Sequence, residues 1–294
     1  MGRSYQANLE QAGIPVLGTT RRRRSVDDSH VYLDLADDLA NWTCGREVGV
    51  AVLCAGITKF AVCKANPVAT ARVNVEGMST LAANLVKRGS RIVYLSTAVV
   101  FDGLKAHRNA GDPVCPSTEY GRQNAQAEYR IQSLGDSVTV LRLTKTLDSS
   151  IPLLNSWVSS LLSGQPVHPY SDLVMAPIPV SFAIEVIDRL TQPGVSGIFQ
   201  ASGNRDVTYA EAALCCANTL GVDPDLVQPI EVTEEDLYTE PVPRHTTLEI
   251  SRLKTMYGLE PPDVGQTLKN IFLELGTPAV TDTAGLENKG CNDD

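Results

Sequence analysis

Apolar positions fall into two periods along the first half of the chain. Val48 to Cys54 (VGVAVLC), Arg91 to Ser96 (RIVYLS) and Ser137 to Leu143 (SVTVLRL) are short continuous apolar runs, the pattern of strands buried on both faces. Between them the period lengthens. Tyr5 to Gln11, Asn66 to Lys87 and Tyr120 to Leu134 read as helices, the second with Val73, Met78, Leu81, Leu85 and Val86 along one stripe. Ile14 to Gly18 is a further short apolar run bounded by glycines. Strands alternating with helices of this length imply βαβ units, a parallel sheet and right-handed crossovers.

The rhythm loosens after about Ser150. Helices are expected at Leu153 to Ser163, Ser181 to Leu190 and Tyr209 to Leu220, the last ended by Gly221. Asp223 to Thr247 is rich in proline and acidic residues and suits a loop-rich lobe. From about Thr277 the chain is polar and aperiodic, and is expected as a disordered tail. The organisation expected is therefore 1–149 as a sheet domain, 150–276 as a smaller second lobe and 277–294 as the tail.

Composition narrows the class. The 294 residues are 43% hydrophobic and 20% charged, with a net charge of −9, which is ordinary globular usage. No run approaches the ~20 apolar residues of a membrane span, so no membrane partner is expected. An acidic whole with one basic cluster, Arg21 to Arg24, argues against general nucleic-acid binding and leaves room for a local anion site. Seven cysteines form neither a CxxC pair nor a metal-ligand spacing with histidine. Reduced thiols in a cytoplasmic protein, and no metal, are the expectation.

Parallel sheets bind ligands beyond the carboxyl ends of their strands. Three such ends stand out: Gly18-Thr19-Thr20 running into the arginines, Cys54-Ala55-Gly56, and Ser96-Thr97. Small residues there let a flat or charged ligand approach the backbone, although tight strand-to-loop turns need them too. Their order and spacing resemble the extended short-chain dehydrogenase/reductase family, in its dTDP-4-dehydrorhamnose reductase-like, sugar-nucleotide-binding branch. The matching stretches are VAVLCAGIT (50–58), KANPVATARVNVEG (64–77), RIVYLSTAVVFDG (91–103), PSTEYGRQNAQAE (116–128) and TVLRLTK (139–145). Weaker ones follow at 176–187, 197–203 and 244–253.

The resemblance implies an α/β fold: a Rossmann-like parallel sheet flanked by helices, plus a small α/β substrate lobe. It also implies that the sheet is truncated at its start. The family's first strand and most of its Gly-rich turn are missing, and Gly2 fits the third glycine of that turn. A pyrophosphate site at a helix N-terminus would be weakened accordingly. The implied cofactor is NADP(H): Thr20, Arg21 and Arg22 stand where an acidic residue would select NAD and an arginine takes a 2′-phosphate. A solvated basic loop is the alternative. Asp34 and Leu35 fit the adenine side, Cys54, Ala55 and Gly56 the cofactor cleft, and Asn74 a helix asparagine beside the site. Arg244 fits a pyrophosphate contact to the sugar nucleotide, with Ser96 on the substrate side.

The family's acid–base set is a Ser/Thr, a Tyr and a Lys four residues later, on one helix face. Thr97 and Tyr120 fit the first two. The third position holds Asn124, which has no charge to depress a phenol pKa. Lys145, at a neighbouring strand end, is the candidate replacement. The family's Asp-Tyr pair after Ser-Thr is replaced by Ala98-Val99. Two function classes follow from the resemblance. One is an NADPH-dependent reductase of a nucleotide-linked keto sugar, catalytically impaired. The other is a non-catalytic NADP- or sugar-nucleotide-binding subunit, as a homodimer or beside a partner enzyme.

Overall fold

The computed structural model describes residues 1–233 and 240–277. The expected tail, Thr277 apart, lies outside the described residues, as does part of the loop-rich stretch after Asp223. Helix α1 (Gly2–Gln11) is followed by two short parallel strands, β1 (Gly18–Thr20) and β2 (His30–Tyr32). The apolar run Ile14 to Leu17 thus precedes the strand rather than forming it. β3 (Val50–Leu53) leads through α2 (Phe60–Ala65), α3 (Pro67–Ala71), a π-helical turn (Arg72–Gly77) and α4 (Met78–Lys87) to β4 (Arg91–Thr97). Helix α5 (Glu119–Gln132) returns to β5 (Val138–Leu143).

β3, β4 and β5 are parallel neighbours, and β9 (Gly197–Ala201) completes the sheet in the order β3-β4-β5-β9. This sheet therefore takes a strand from beyond residue 150. Its centre is dry: Val93, Val140, Leu141 and Phe199 have no exposed surface. One face packs on α7 (Val180–Leu190), through Ala183 and Ile187, and on Tyr5 of α1. The other face, Ile92, Tyr94 and Val140, packs on Leu81 of α4, on Ala127 and Ile131 of α5, and on Leu33 and Leu35 after β2. Successive side chains point to opposite faces, so a continuous apolar run along each strand supplies both faces at once, as expected of a parallel sheet.

The β1–β2 pair is not hydrogen-bonded to the main sheet, and β3 is that sheet's edge strand among the described residues. Val50, Ala51 and Val52 are accordingly only half-buried, in contrast to the strands at the centre.

A second core gathers α6 (Pro152–Leu162), α8 (Tyr209–Leu220) and α10 (Val264–Gly276) around Trp157, Leu161, Ala213, Cys216, Leu268 and Phe272. Two short strand pairs join it to the sheet: β6 (Thr146–Leu147) with β8 (Ile178–Pro179), and β7 (Val174–Met175) with β10 (Val207–Thr208). Thr208 and Glu211 form a capping box at the start of α8, and Gly221, at φ +68°, closes its end. Helix α9 (Ser251–Tyr257) lies against β9 through Leu253. No helix among the described residues is long and apolar enough to cross a membrane.

Candidate dinucleotide cleft and catalytic cluster

β3, β4 and β5 run parallel, so Cys54-Ala55-Gly56, Ser96-Thr97 and Thr144-Lys145 leave the sheet along one edge. Cys54, Ala55 and Gly56 are exposed there. Helix α1 starts against them: a Cβ on Gly2 would lie 2.8 Å from Cys54 Sγ. Crowding raises the Cys54 thiol pKa. Asn74 fastens the loop after Gly56. Its Oδ1 accepts from the Ile57 amide at 2.7 Å, and its Nδ2 donates to Ile57 O and to Gln123 Oε1, each at 2.9 Å. Asn74 is 5% exposed and lies in the π-helical turn, a feature common at functional sites. Its amide is thus committed to tying the β3 exit to α5. A Cβ on Gly56 would meet Asn74 Oδ1 at 3.2 Å, so small residues are needed at this strand end.

At the end of β1, Thr20 Oγ1 accepts from the Arg22 amide at 3.1 Å. Arg21 and Arg22 are exposed and form no ion pair among the described residues, whereas Arg23 stacks on Tyr32 with its guanidinium carbon 3.9 Å from the ring centre. Asp34 turns its carboxylate onto the Ala36 amide at 3.0 Å, and Leu35 is buried. Exposed small residues at the β3 end and, among the described residues, unpaired guanidinium groups beyond β1 are a donor set that fits an anionic dinucleotide.

Thr97 caps the turn after β4, its Oγ1 accepting from Val99 N at 3.3 Å. Helix α5 begins against that turn. Thr118 Oγ1 accepts from Gly121 N at 3.0 Å, and a Cβ on Gly121 would sit 2.1 Å from Val99 O. Only glycine permits this approach, which sets Tyr120 beside the exit of β4. Its ring stacks on Phe60 with centroids 5.5 Å apart. Burial raises its phenol pKa above the usual value, opposed in part by the neighbouring Asn124 amide.

Asn124 is 5% exposed and both ends of its amide are engaged. Nδ2 donates to Tyr120 O at 2.8 Å, and Oδ1 accepts from Tyr94 OH at 3.1 Å. It therefore packs into the core rather than standing free beside a ribose. Lys145 lies on the exposed side of the β5 exit; its carbonyl accepts from Ile178 N at 2.9 Å, and its ammonium has no hydrogen bond or ion pair among the described residues. Partial desolvation by crowding lowers its ammonium pKa.

Ser96 does not join these groups. It is 7% exposed, and its hydroxyl donates to Glu128 Oε1 in a short hydrogen bond. Glu128 in turn receives Arg142 from β5, Nη2 to Oε2 at 2.7 Å and Nε to Oε1 at 3.0 Å. Both charges are 2% exposed or less. Arg142 Nη1 also donates to Ala110 O at 3.1 Å. Ser96 thus belongs to a buried network that fixes α5 against β4 and β5, and its expected place on the substrate side is corrected to this one.

Arg244 is exposed, and its backbone amide donates to Gly103 O at 3.1 Å. Asp206 holds the rest of that segment. Its Oδ1 accepts from the Thr246 amide at 2.7 Å and its Oδ2 from Thr247 Oγ1 at 3.0 Å, with His245 Nδ1 3.1 Å away. Glu128, Arg142 and Asp206 were not singled out in the sequence as site residues. The first two stand inside the motif stretches. Asp206 has no local signal, because its partners lie 39 to 41 positions on.

Taken together, the parallel sheet, the small residues at its strand ends and the helices that flank it define an α/β protein of the Rossmann kind. The chain belongs to the family described as the RmlD substrate binding domain, whose model matches residues 1–276. It is 27% identical over 251 residues to a dTDP-4-keto-6-deoxy-D-glucose reductase of Streptomyces niveus, covering 84% of each chain. It is 24% identical over 267 residues to the beta subunit of methionine adenosyltransferase 2 of Bos taurus, covering 87% of this chain and 79% of that one. The fold superposes with a TM-score of 0.74 on a dTDP-4-dehydrorhamnose reductase from Bacillus anthracis solved in complex with NADP, at 16% identity over 86% of this chain and 92% of that one.

Proposed function

We propose that this chain binds NADP(H) and a sugar nucleotide in the manner of its reductase relatives, with turnover impaired at Asn124. The observation that carries the reading is the commitment of Asn124 to Tyr94 and to Tyr120 O, which leaves the phenol without a neighbouring cation on its own helix. Gly2, Cys54, Ala55 and Gly56 would line the dinucleotide, with Thr20, Arg21 and Arg22 at a 2′-phosphate and Asp34 and Leu35 on the adenine side. When bound, the reduced nicotinamide supplies a hydride. Tyr120 holds its proton at neutral pH, with burial raising its pKa, and with Thr97 it would hydrogen-bond a carbonyl oxygen and protonate it. Donation is slow where no cation stabilises the phenolate left behind. Residues 1–149 would carry most of the cofactor contacts, and 150–276, with Arg244, the sugar nucleotide. A cytoplasmic setting is part of this proposal, supported by seven cysteines without pairing spacing.

Similarity to a methionine adenosyltransferase beta subunit favours a second reading, a regulatory subunit that binds the dinucleotide and a partner enzyme without turning over a sugar. Both readings require the cofactor. Calorimetric titration should show NADPH bound more tightly than NADH. Replacing Arg21 and Arg22 together by Ala should erase the preference, at about 1.5–3 kcal/mol for each charge-assisted hydrogen bond removed. Equal affinity for the two cofactors in the unmodified protein would overturn the assignment.

A further inference from the structure

The arginine run has a feature that binding one phosphate group does not use. It reads Arg21-Arg22-Arg23-Arg24-Ser25-Val26, a hydroxyl preceded by four guanidinium groups and followed by an apolar side chain. We propose that Ser25 is a phosphorylation site for an arginine-directed protein kinase, and that its phosphate turns the neighbouring arginines away from phosphate ligands.

The loop presents this sequence openly. Residues 21–28 are all exposed, and Val26 keeps 46% of its surface. The Ser25 hydroxyl has no hydrogen-bond partner among the described residues. Arg22 is extended at φ −93°, ψ 103°, and Val26 at φ −82°, ψ 127°. Between them, Arg23–Ser25 form a single 3-10 turn held by Ser25 N to Arg22 O at 2.8 Å and Val26 N to Arg23 O at 3.3 Å. Opening two backbone hydrogen bonds and lifting Arg23 off the Tyr32 ring therefore makes 21–26 an extended strand, the form a kinase cleft accepts. β1 and β2 anchor the loop on either side and need not move. The acidic group nearest in sequence, Asp27, is engaged locally by Ser29 N at 2.9 Å and His30 Nδ1 at 3.1 Å. A cleft with acidic pockets for arginines two, three and four residues before the acceptor, and an apolar pocket after it, matches this pattern by charge complementarity.

In the reaction Ser25 Oγ attacks the γ-phosphorus of ATP held by the kinase. The new O–P bond forms as the bond to the β-phosphate oxygen breaks. ADP leaves, and the hydroxyl proton passes to the kinase's catalytic carboxylate. The product carries about −1.5 to −2 charge amid guanidinium groups that otherwise lack an anion among the described residues. Arg22 and Arg24, exposed and without ion pairs among the described residues, are placed to pair with it. The effect on NADPH rests on the cofactor reading above; the modification itself does not.

The test treats the full chain, and its Ser25→Ala variant, with the catalytic subunit of a cyclic-nucleotide-dependent protein kinase and radiolabelled ATP. Incorporation near one phosphate per chain, lost in Ser25→Ala, is expected. No incorporation while a free RRRRSV peptide is labelled, or equal labelling of the variant, overturns the site. NADPH is then titrated into phosphorylated and mock-treated protein. Phosphorylation should raise the NADPH Kd by about tenfold or more, with a smaller change for NADH. An unchanged Kd overturns the gating role. Binding to neither form overturns the cofactor reading, while the site stands on the incorporation.

Discussion

Tyr94 and Ser96 are two residues apart on β4, and Asn124 and Glu128 are four apart on α5. The strand and helix periods therefore bring them face to face as Tyr94–Asn124 and Ser96–Glu128. Arg142 completes the second pair from β5, and the cluster is dry. Removing one partner of such a pair strands a buried charge, so Glu128→Ala should lower unfolding free energy by about 3–5 kcal/mol in urea titration. Ser96→Ala, which leaves the ion pair intact, should cost far less. A loss under about 1 kcal/mol for Glu128→Ala would contradict the role given to the pair, since that is the range of solvated surface pairs. Tyr120, Thr97 and Asn74 are proposed from the sequence, because each stands in a motif whose spacing implies its place. Ser96 was misplaced for a physical reason: a strand end exposes one parity of residues and buries the other. Which parity faces α5 depends on partners 30 or more positions away. The same distance hid the bond that commits Asn124.

At the scale of elements, the apolar runs marked β3, β4 and β5 and the helices α5, α7 and α8 to within a few residues, because buried parallel strands and amphipathic helices have distinct periods. The helix expected as one piece from Asn66 to Lys87 is α3, a π-helical turn and α4, with Pro67 at its first turn. The π turn has no periodic signature, and two contacts accompany it. Asn74 points at Ile57, and Gly77 abuts Leu35, where an added Cβ would lie 1.9 Å from Leu35 O. Gly77→Ala must push that backbone apart. It should destabilise the protein by about 1–3 kcal/mol, the usual cost of overpacking, measured as a lower urea midpoint at unchanged slope. A neutral result would contradict the close approach. The strand β2 was the least legible element, three residues long and only partly buried with no apolar run to mark it, while β1 was marked only by the run that ends at Gly18.

At the scale of the molecule, the two cores meet through the Asp206-held segment and the short strand pairs, and several titrating groups are buried along the way. Burial raises the phenol pKa of Tyr94, Tyr120 and Tyr209, and of Tyr5, where Asp188 adds to it; burial pushes the Cys216 thiol up to about 12. Folded pKa values above the unfolded ones give stability that is complete below the unfolded range, ~8.5 for the thiol and ~10 for the phenols, and is lost as pH rises beyond it. Melting temperature should therefore hold from pH 7 to about 8, begin to fall beyond the thiol range and fall steeply from about pH 10 upward. A flat profile to about pH 11 would contradict the burial of these phenols. The central claim is that Tyr120 lacks the cation its chemistry needs, and it is tested most directly by NADPH oxidation with a nucleotide-linked 4-keto sugar, comparing the unmodified chain with Asn124→Lys after NADPH binding by both is confirmed. Acid–base assistance is worth about 10²–10⁴-fold, so the unmodified chain should turn over slowly and Asn124→Lys should raise kcat by at least about tenfold. Brisk turnover by the unmodified chain, unaffected by the substitution, would contradict the account.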